Sequence, residues 1–454
     1  MKTRIFALAS LALILAACGP SKDYSWEEDL QHRLAYDFSW TRDQVKEYIQ
    51  QYIPDVSDEQ IDAWTVNGPL ESMEIDGQLM YFNRTAAGLF RVDSTCRAIK
   101  EAAQQKAAEV YLSGTSANDD DNSLEINNFQ EILSESDSTG RAVAAGKPMK
   151  IRYTITVKAD AVPEGEIVRC WLPYPRTDMR RQKGVKLLAT SEKKYKLADV
   201  KAPHSSLYMQ KKAVAGEPTV FWEEFECTFC GEHNDLEGVR ALPYDKKSDL
   251  WKRFTAEQAP HIVFSDRLRA MSDSLGRGIK NPIDKAKAYF LWIDANIPWS
   301  GAREYSTLDC IPEYVLDNMH GDCGQQTLLF MTLCRIAGIP CRWQSGLTVE
   351  PSGWNMHDWC EVYFEGIGWV PVDATHGIPS YADQYPELKW FNFGGVDSYR
   401  WVVNSEWGKP LQPRKIYPRS ETVDFQRGEV EWKGGNLYFD QWRGSMDIEH
   451  LDKE

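Results

Sequence analysis

Three residues suited to nucleophilic acyl chemistry occur in a suggestive order along this chain: Cys323, His357 and Asp373. Cys323 sits in His320-Gly321-Asp322-Cys323-Gly324-Gln325-Gln326, at the head of an apolar run closed by Gly338-Ile339-Pro340. Gly338 reads as the C-cap and Pro340 as the stop of a helix whose first turn holds the cysteine. Unpaired N–H groups and the positive dipole end at such a turn stabilise a thiolate, and a histidine partner lowers the thiol pKa further. Alone, a cysteine here is equally compatible with a small apolar residue in a tight turn, so its partners decide the reading.

Those partners fall on a predicted hairpin. Val362-Tyr363-Phe364 and Trp369-Val370-Pro371 flank Gly366-Ile367-Gly368, so a turn centred near Gly366 places Tyr363 opposite Trp369, Glu361 opposite Pro371 and Trp359 opposite Asp373. Side chains alternate between faces, which puts His357 and Asp373 on one face as diagonal neighbours within about 7–8 Å. Asp358, although adjacent in sequence, points to the other face. Asp373 is therefore the better partner for the imidazole, and a one-residue slip would reverse that choice. His320 and His376 are weaker candidates: the first lies in a loop with no carboxylate placed to orient it, and the second could line the mouth of a site.

The elements that position these residues read as several units. Apolar positions such as Leu30, Leu34, Val45, Tyr48 and Ile49 make 26–111 helical, with Asp55-Val56-Ser57 as a cap and 99–111 as the best helix. Residues 113–147 are polar and acidic, a flexible connection with at most one short helix. From Met149 the period becomes two, with Ile151, Tyr153, Ile155 and Val157 facing one way, and 148–245 reads as a β-sandwich-like domain. Helices return near Leu250 and at Pro282, and strands dominate from Cys341. The resulting division is 1–17 signal peptide, 18–112 helical region, 113–147 linker, 148–245 β-domain, 246–400 catalytic core and 401–454 strands packing on that core.

A chain of 454 residues, 43% hydrophobic and 26% charged, is that of a globular protein of two or three domains. Its formal net charge is −15, or −17 once the two cations Lys2 and Arg4 are removed, which argues against nucleic acid as a partner. Lys2 and Arg4 precede an apolar stretch too short for a permanent span, ending Leu15-Ala16-Ala17-Cys18. That ending resembles the lipobox of bacterial lipoproteins, which implies cleavage before Cys18, lipidation of its thiol and attachment to an envelope membrane. Apart from Cys18 and Cys323, eight cysteines remain of the 10, and an exported protein could pair some of them. Cys227-Thr228-Phe229-Cys230 with His233 resembles half a metal site, but no second pair completes four ligands, so structural cysteines are the favoured reading and no metal or cofactor is expected.

Four blocks together carry a family resemblance: Gly321-Asp322-Cys323-Gly324, Arg335-Ile336-Ala337-Gly338-Ile339-Pro340-Cys341-Arg342, His357-Asp358-Trp359-Cys360-Glu361-Val362, and Gly368-Trp369-Val370-Pro371-Val372-Asp373-Ala374-Thr375. Over roughly Tyr289 to Gly377 the chain resembles the transglutaminase-like core, and Ile151 to Gln182 is similar to a β-domain that often precedes it in bacterial members. The resemblance implies an α+β, papain-like fold in which Cys323 is the nucleophile, His357 the base and then acid, and Asp373 the orienting group. It further implies oxyanion donors at the Cys323 amide and at Trp299 or Tyr305, between which the sequence does not choose. Family members often carry a small or aliphatic residue where this chain has Asp358. The implied reaction is thiol-dependent acyl transfer on amide bonds, with hydrolysis of peptide, protein or peptidoglycan stem-peptide substrates favoured. The alternatives are cross-linking of glutamine to an amine, or a noncatalytic lipoprotein that uses its 17 Trp and 20 Tyr to bind peptides or glycans.

Overall fold

The computed structural model describes residues 24–66, 68–112 and 122–451; the signal peptide expected over 1–17 and the lipidation site Cys18 lie outside them. Helices α1 (Trp26–Asp37), α2 (Arg42–Gln50) and α3 (Asp58–Val66) open the chain. Ser25 caps the first, while Thr41 with Gln44 and Ser57 with Gln60 form reciprocal capping boxes at the next two. A hairpin then interrupts the helices, β1 (Ser72–Ile75) against β2 (Gln78–Tyr81), turning on Asp76-Gly77 with φ of 49° and 77°. The all-helical reading of this region is corrected there: Asp-Gly supplies the two left-handed residues of the tightest hairpin turn. Helices α4 (Thr85–Val92) and α5 (Ser94–Leu112) complete the unit around Val45, Ile49, Ile61, Leu89 and Phe90.

Among the described residues of the expected flexible connection, most form a packed helix, α6 (Ser123–Thr139). Ile126, Phe129 and Ile132 recur every three residues and bury one face beside Leu388 and Phe391, the Phe129 and Phe391 rings stacking at 3.7 Å. Within a segment dominated by Asp, Glu and Ser, so narrow a stripe was hidden by composition.

Strands β3 (Val143–Val157), β4 (Ile167–Pro173), β5 (Gln182–Thr190), β6 (Lys196–Leu197), β7 (Ser206–Lys212) and β8 (Thr219–His233) build the β-domain. Next come α7 (Asp249–Phe254), α8 (Asp266–Leu275), α9 (Pro282–Asn296), α10 (Ile311–Asn318) and α11 (Cys323–Ile336). The core sheet has the order β11 (Gly368–Val372), β10 (Gly353–Phe364), β9 (Cys341–Glu350), β13 (Arg400–Asn404), all antiparallel. Short β12 (Gly395–Val396) pairs with β8.

Of the C-terminal strands expected to pack on the catalytic core, β13 joins its sheet, whereas the later ones do not. β14 (Glu429–Trp432), which also pairs with β15 (Gly435–Leu437), adds to β4, and β16 (Trp442–His450) adds to β3. The sandwich is thus made from two distant segments, because β3 and β4 would otherwise present unpaired edges. Its sheets run β12-β8-β3-β16, with β5 also on β8, and β15-β14-β4-β7-β6.

Two cores meet at the catalytic sheet. On one face Cys360, Val362 and Phe364 pack under α11, which is buried from Gly324 to Arg335. On the other, Leu347, Val349 and Trp401 enter the sandwich core. The α+β architecture therefore clamps the strand that carries His357 from both sides. All nine described cysteines are free, including Cys227 and Cys230, which do not gather with His233 into a donor cluster among the described residues. No helix among the described residues is long and apolar enough to cross a membrane.

Candidate active site

Helix α11 starts on a reciprocal cap. The Asp322 carboxylate accepts from the Gln325 N–H at 3.1 Å, while Gln325 Oε1 accepts from the Asp322 N–H at 3.3 Å. This fixes Cys323 as the first helical residue, half-buried. The Tyr305 hydroxyl donates to Asp322 Oδ1 at 2.5 Å. A Cβ on residue 324 would collide with that hydroxyl and stand 2.7 Å from Asp358 Oδ2, so Gly324 is required by close approach.

The hairpin register is the one read from the sequence, with Glu361 opposite Pro371 and Tyr363 opposite Trp369. His357 Nε2 lies 2.7 Å from Asp373 Oδ2. The same oxygen accepts from Arg400 Nη1 at 2.9 Å, and Asp373 Oδ1 accepts from the N–H groups of Thr375 and His376 at 3.2 Å each. Trp359 backs the imidazole, their ring centroids 5.9 Å apart. Burial alone would raise the Asp373 pKa, but His357, His376 and Arg400 hold it well below the usual carboxylate range. Burial, aided by Arg400 and opposed by Asp373, lowers His357 to about 4, so the imidazole rests neutral.

Asp358 projects from the opposite face of β10 and meets the thiol. Cys323 Sγ donates to Asp358 Oδ2 at 3.4 Å, and Gln426 Nε2 holds Asp358 Oδ1 at 2.7 Å and the His357 carbonyl at 2.9 Å. Among the described residues, no hydrogen bond joins Cys323 to His357. Burial first, then the charges of Asp358 and Asp322, push the Cys323 thiol well above its ordinary pKa, against a hydrogen bond from the Asp358 backbone. Burial, the largest of these effects, and the two acidic neighbours act against the thiolate that the helix terminus was expected to stabilise. Their neighbourhood is itself proton-rich, since burial raises Asp358 strongly, Asp424 to about 7 and Asp322 to about 6.

These groups line a cavity of about 370 Å³ that also takes in Trp299, Tyr305, His376 and Gln426. Trp299 is 39% exposed at its rim beneath the Arg91 guanidinium, whereas Tyr305 commits its hydroxyl to Asp322. His320 is buried with an unpartnered Nδ1 and does not line the cavity. His376 lies at the mouth, its ring 5.0 Å from that of His357 and its Nδ1 3.5 Å from Glu125 of α6. The donor atoms of His357, Asp373 and His376 lie within 4.8 Å of one another, close enough to hold a divalent ion. Arg400, already on the same Asp373 oxygen, places a fixed positive charge that opposes one.

Sequence reasoning missed Arg400, Gln426 and the thiol contact of Asp358. Arg400 and Gln426 follow Asp373 by 27 and 53 positions, and no local pattern marks either. The charged residue directly after His357 was the one legible signal.

Residues 269–374 match the transglutaminase-like superfamily, and the chain carries an α+β core of that family, the scaffold of papain-like thiol enzymes. An uncharacterised Bacillus subtilis protein, YebA, is 27% identical over 166 residues, which is 30% of this chain and 22% of YebA. Kyphoscoliosis peptidase of Mus musculus is 26% identical over 155 residues, 32% of this chain and 22% of the relative. The chain thus spans about a fifth of the length of these two relatives. Among solved structures, a candidate cysteine protease from Cytophaga hutchinsonii aligns with a TM-score of 0.45 and 15% identity, over 69% of this chain and 93% of that one. The periplasmic domain of TgpA from Pseudomonas aeruginosa aligns with a TM-score of 0.28 and 14% identity, over 55% and 92%. The family match, not these overlays, carries the assignment.

Proposed function

We propose that the protein is a thiol-dependent hydrolase of peptide or amide bonds, with Cys323 as nucleophile, His357 as base and Asp373 as orienting group. One observation carries the reading: within a transglutaminase-like core, Cys323 and His357 open into a single cavity, with His357 bonded at 2.7 Å to Asp373 behind it. With Nε2 held by Asp373, Nδ1 is the ring atom left for the thiol, and it has no hydrogen-bond partner among the described residues.

The resting thiol and imidazole are both neutral, so attack begins with a side-chain rotation of Cys323 from Asp358 towards Nδ1. Sγ then bonds to the carbonyl carbon as its proton passes to Nδ1. The developing oxyanion meets the Cys323 N–H, with Trp299 and Tyr305 as further candidates. Breakdown returns the proton from Nδ1 to the leaving nitrogen and leaves a thioester on Sγ. Nδ1 then deprotonates a water that attacks the thioester, and the C–S bond breaks as the proton returns to Sγ, releasing a carboxylic acid and the free thiol. Asp373 and Arg400 fix the ring through both half-reactions. The leader ending at Cys18 supports an envelope-anchored enzyme acting on peptides, proteins or peptidoglycan stem peptides.

The test is incubation of wild type and Cys323→Ala with a mixed peptide library, with and without a primary amine, read by mass. Hydrolysed products that vanish in the variant are expected. Amine adducts in their place would make the enzyme a cross-linking transferase, and no change in either protein would leave a noncatalytic binding protein.

A further inference from the structure

The N-terminal helical unit lies beside the thiol cavity and contributes one side chain to its lining. It docks on the loop that carries Trp299 and Tyr305: the Glu304 N–H donates to Asp37 at 2.7 Å, and the Tyr314 hydroxyl to Glu71 at 2.8 Å. From this unit Arg84 reaches the cavity wall. Trp299 is shared with a second cavity of about 400 Å³, whose charged lining is Arg91, Arg97 and Lys100 with the single carboxylate Glu101. The Arg91 guanidinium lies 4.4 Å from the Trp299 ring centroid, and the Trp299 side chain is a wall common to both cavities.

The charge of this strip contrasts with the rest of the molecule. Arg84, Arg91 and Arg97 are exposed and Lys100 is half-buried. None of the four forms an ion pair among the described residues, whereas Arg303, Arg400 and Arg427 around the cavity are all paired with carboxylates. Two of the four instead lie over further aromatic faces, Arg84 over Phe82 and Lys100 over Tyr52. Four cations without an ion pair lie within 17 positions, against the one carboxylate Glu101 in the second cavity, and give this strip a positive balance on a chain of net charge −15.

We infer that the two cavities joined at Trp299 form one groove that binds an acidic peptide segment of the substrate beside Cys323. The cleavage of a bound segment rests on the thiol-hydrolase reading, but the groove is testable without turnover. Guanidinium groups pair with carboxylates in a bidentate manner, and Trp299, with Arg91 over its ring, stands between the cleaved bond and the acidic flank. The helical unit thereby acquires a role, which is to choose substrates carrying Asp, Glu or free carboxylates a few residues from the cleaved amide.

Full-length Cys323→Ala protein, which binds without cleaving, is titrated against fluorescein-labelled peptides of one sequence carrying either Glu or Gln at alternate positions, with anisotropy as readout. The Glu peptide is expected to bind at least ~10-fold more tightly and to lose that advantage at high salt. Arg91→Glu and Arg97→Glu should each abolish the preference, while Lys193→Glu, which lines neither cavity, should preserve it. Equal binding of both peptides, or a preference indifferent to Arg91 and Arg97, overturns the inference. So does tighter binding of a single-stranded oligonucleotide than of the Glu peptide. Cleavage by the Cys323-containing protein is read in parallel: a Glu preference without cleavage refutes the hydrolase and leaves the groove, and cleavage without preference does the reverse.

Discussion

Replacing Asp358 by Asn should release the resting thiol. The carboxylate oxygen lies 3.4 Å from Cys323 Sγ, and Asn keeps its shape and an acceptor for the thiol proton. Two unit charges at that separation repel by about 1 kcal/mol at the dielectric constant of water and about 5 kcal/mol at an effective value of 20. At 1.36 kcal/mol per unit this is roughly 1 to 3.5 pKa units. The sign follows from like charges: the carboxylate disfavours the thiolate, so removing it lowers the Cys323 pKa. The lower end of the range is favoured because burial also raises the Asp358 pKa, which weakens the repulsion. The assay is the rate of iodoacetamide alkylation of Cys323 against pH, read by intact mass and peptide mapping, with Cys323→Ala as blank. Wild type should alkylate slowly at neutral pH and accelerate only in the alkaline range, while in Asp358→Asn the rise should move about one unit lower or more. A thermal melt confirms that the variant is folded. An unchanged profile, or one displaced to higher pH, would refute the claim that Asp358 holds the thiol neutral.

Asp373→Asn should cost more than the imidazole's orientation, since it leaves the buried Arg400 with Asp397 as its remaining carboxylate. Urea melts should show a loss of about 1–3 kcal/mol, and peptide turnover should fall by orders of magnitude. Gly324→Ala should displace the Tyr305 hydroxyl and Asp358 together, costing about 1–3 kcal/mol in the same melts and removing turnover. Phe129→Ala should unseat α6 from Phe391 at a cost of about 3–5 kcal/mol, with protease cutting within 113–147 accelerated. Unchanged melts for either packing variant would contradict the contacts described.

Much of the site was legible because it depends on local periodicity. The Gly366 turn sets the β10–β11 register, and the register alone separates His357 and Asp373 from Asp358. Helix α11 was equally readable, since Gly338, with a φ of 75°, ends it where expected. Interactions that depend on distant chain were not readable. Arg400 reaches Asp373 only because β13 pairs beside β9, and Gln426 reaches Asp358 from the tail. Nothing within β14 or β16 tells that they complete sheets begun far earlier in the chain, at β4 and β3. The β1–β2 hairpin differs in kind: Asp76-Gly77 announced it, and the helical flanks drew attention away. The thiol's electrostatics illustrate the same limit, because a helix terminus is visible in sequence and two neighbouring buried carboxylates are not.

Every step of the proposed mechanism depends on an acyl group passing through Cys323. The sharpest check is the intact mass of protein quenched in acid during turnover of a peptide ester or amide, together with mapping of the adduct. A mass increase equal to the acyl half of the substrate is expected, located on Cys323, labile to hydroxylamine and absent in Cys323→Ala and His357→Ala. Turnover that persists in Cys323→Ala, or an adduct on any other residue, would contradict the mechanism.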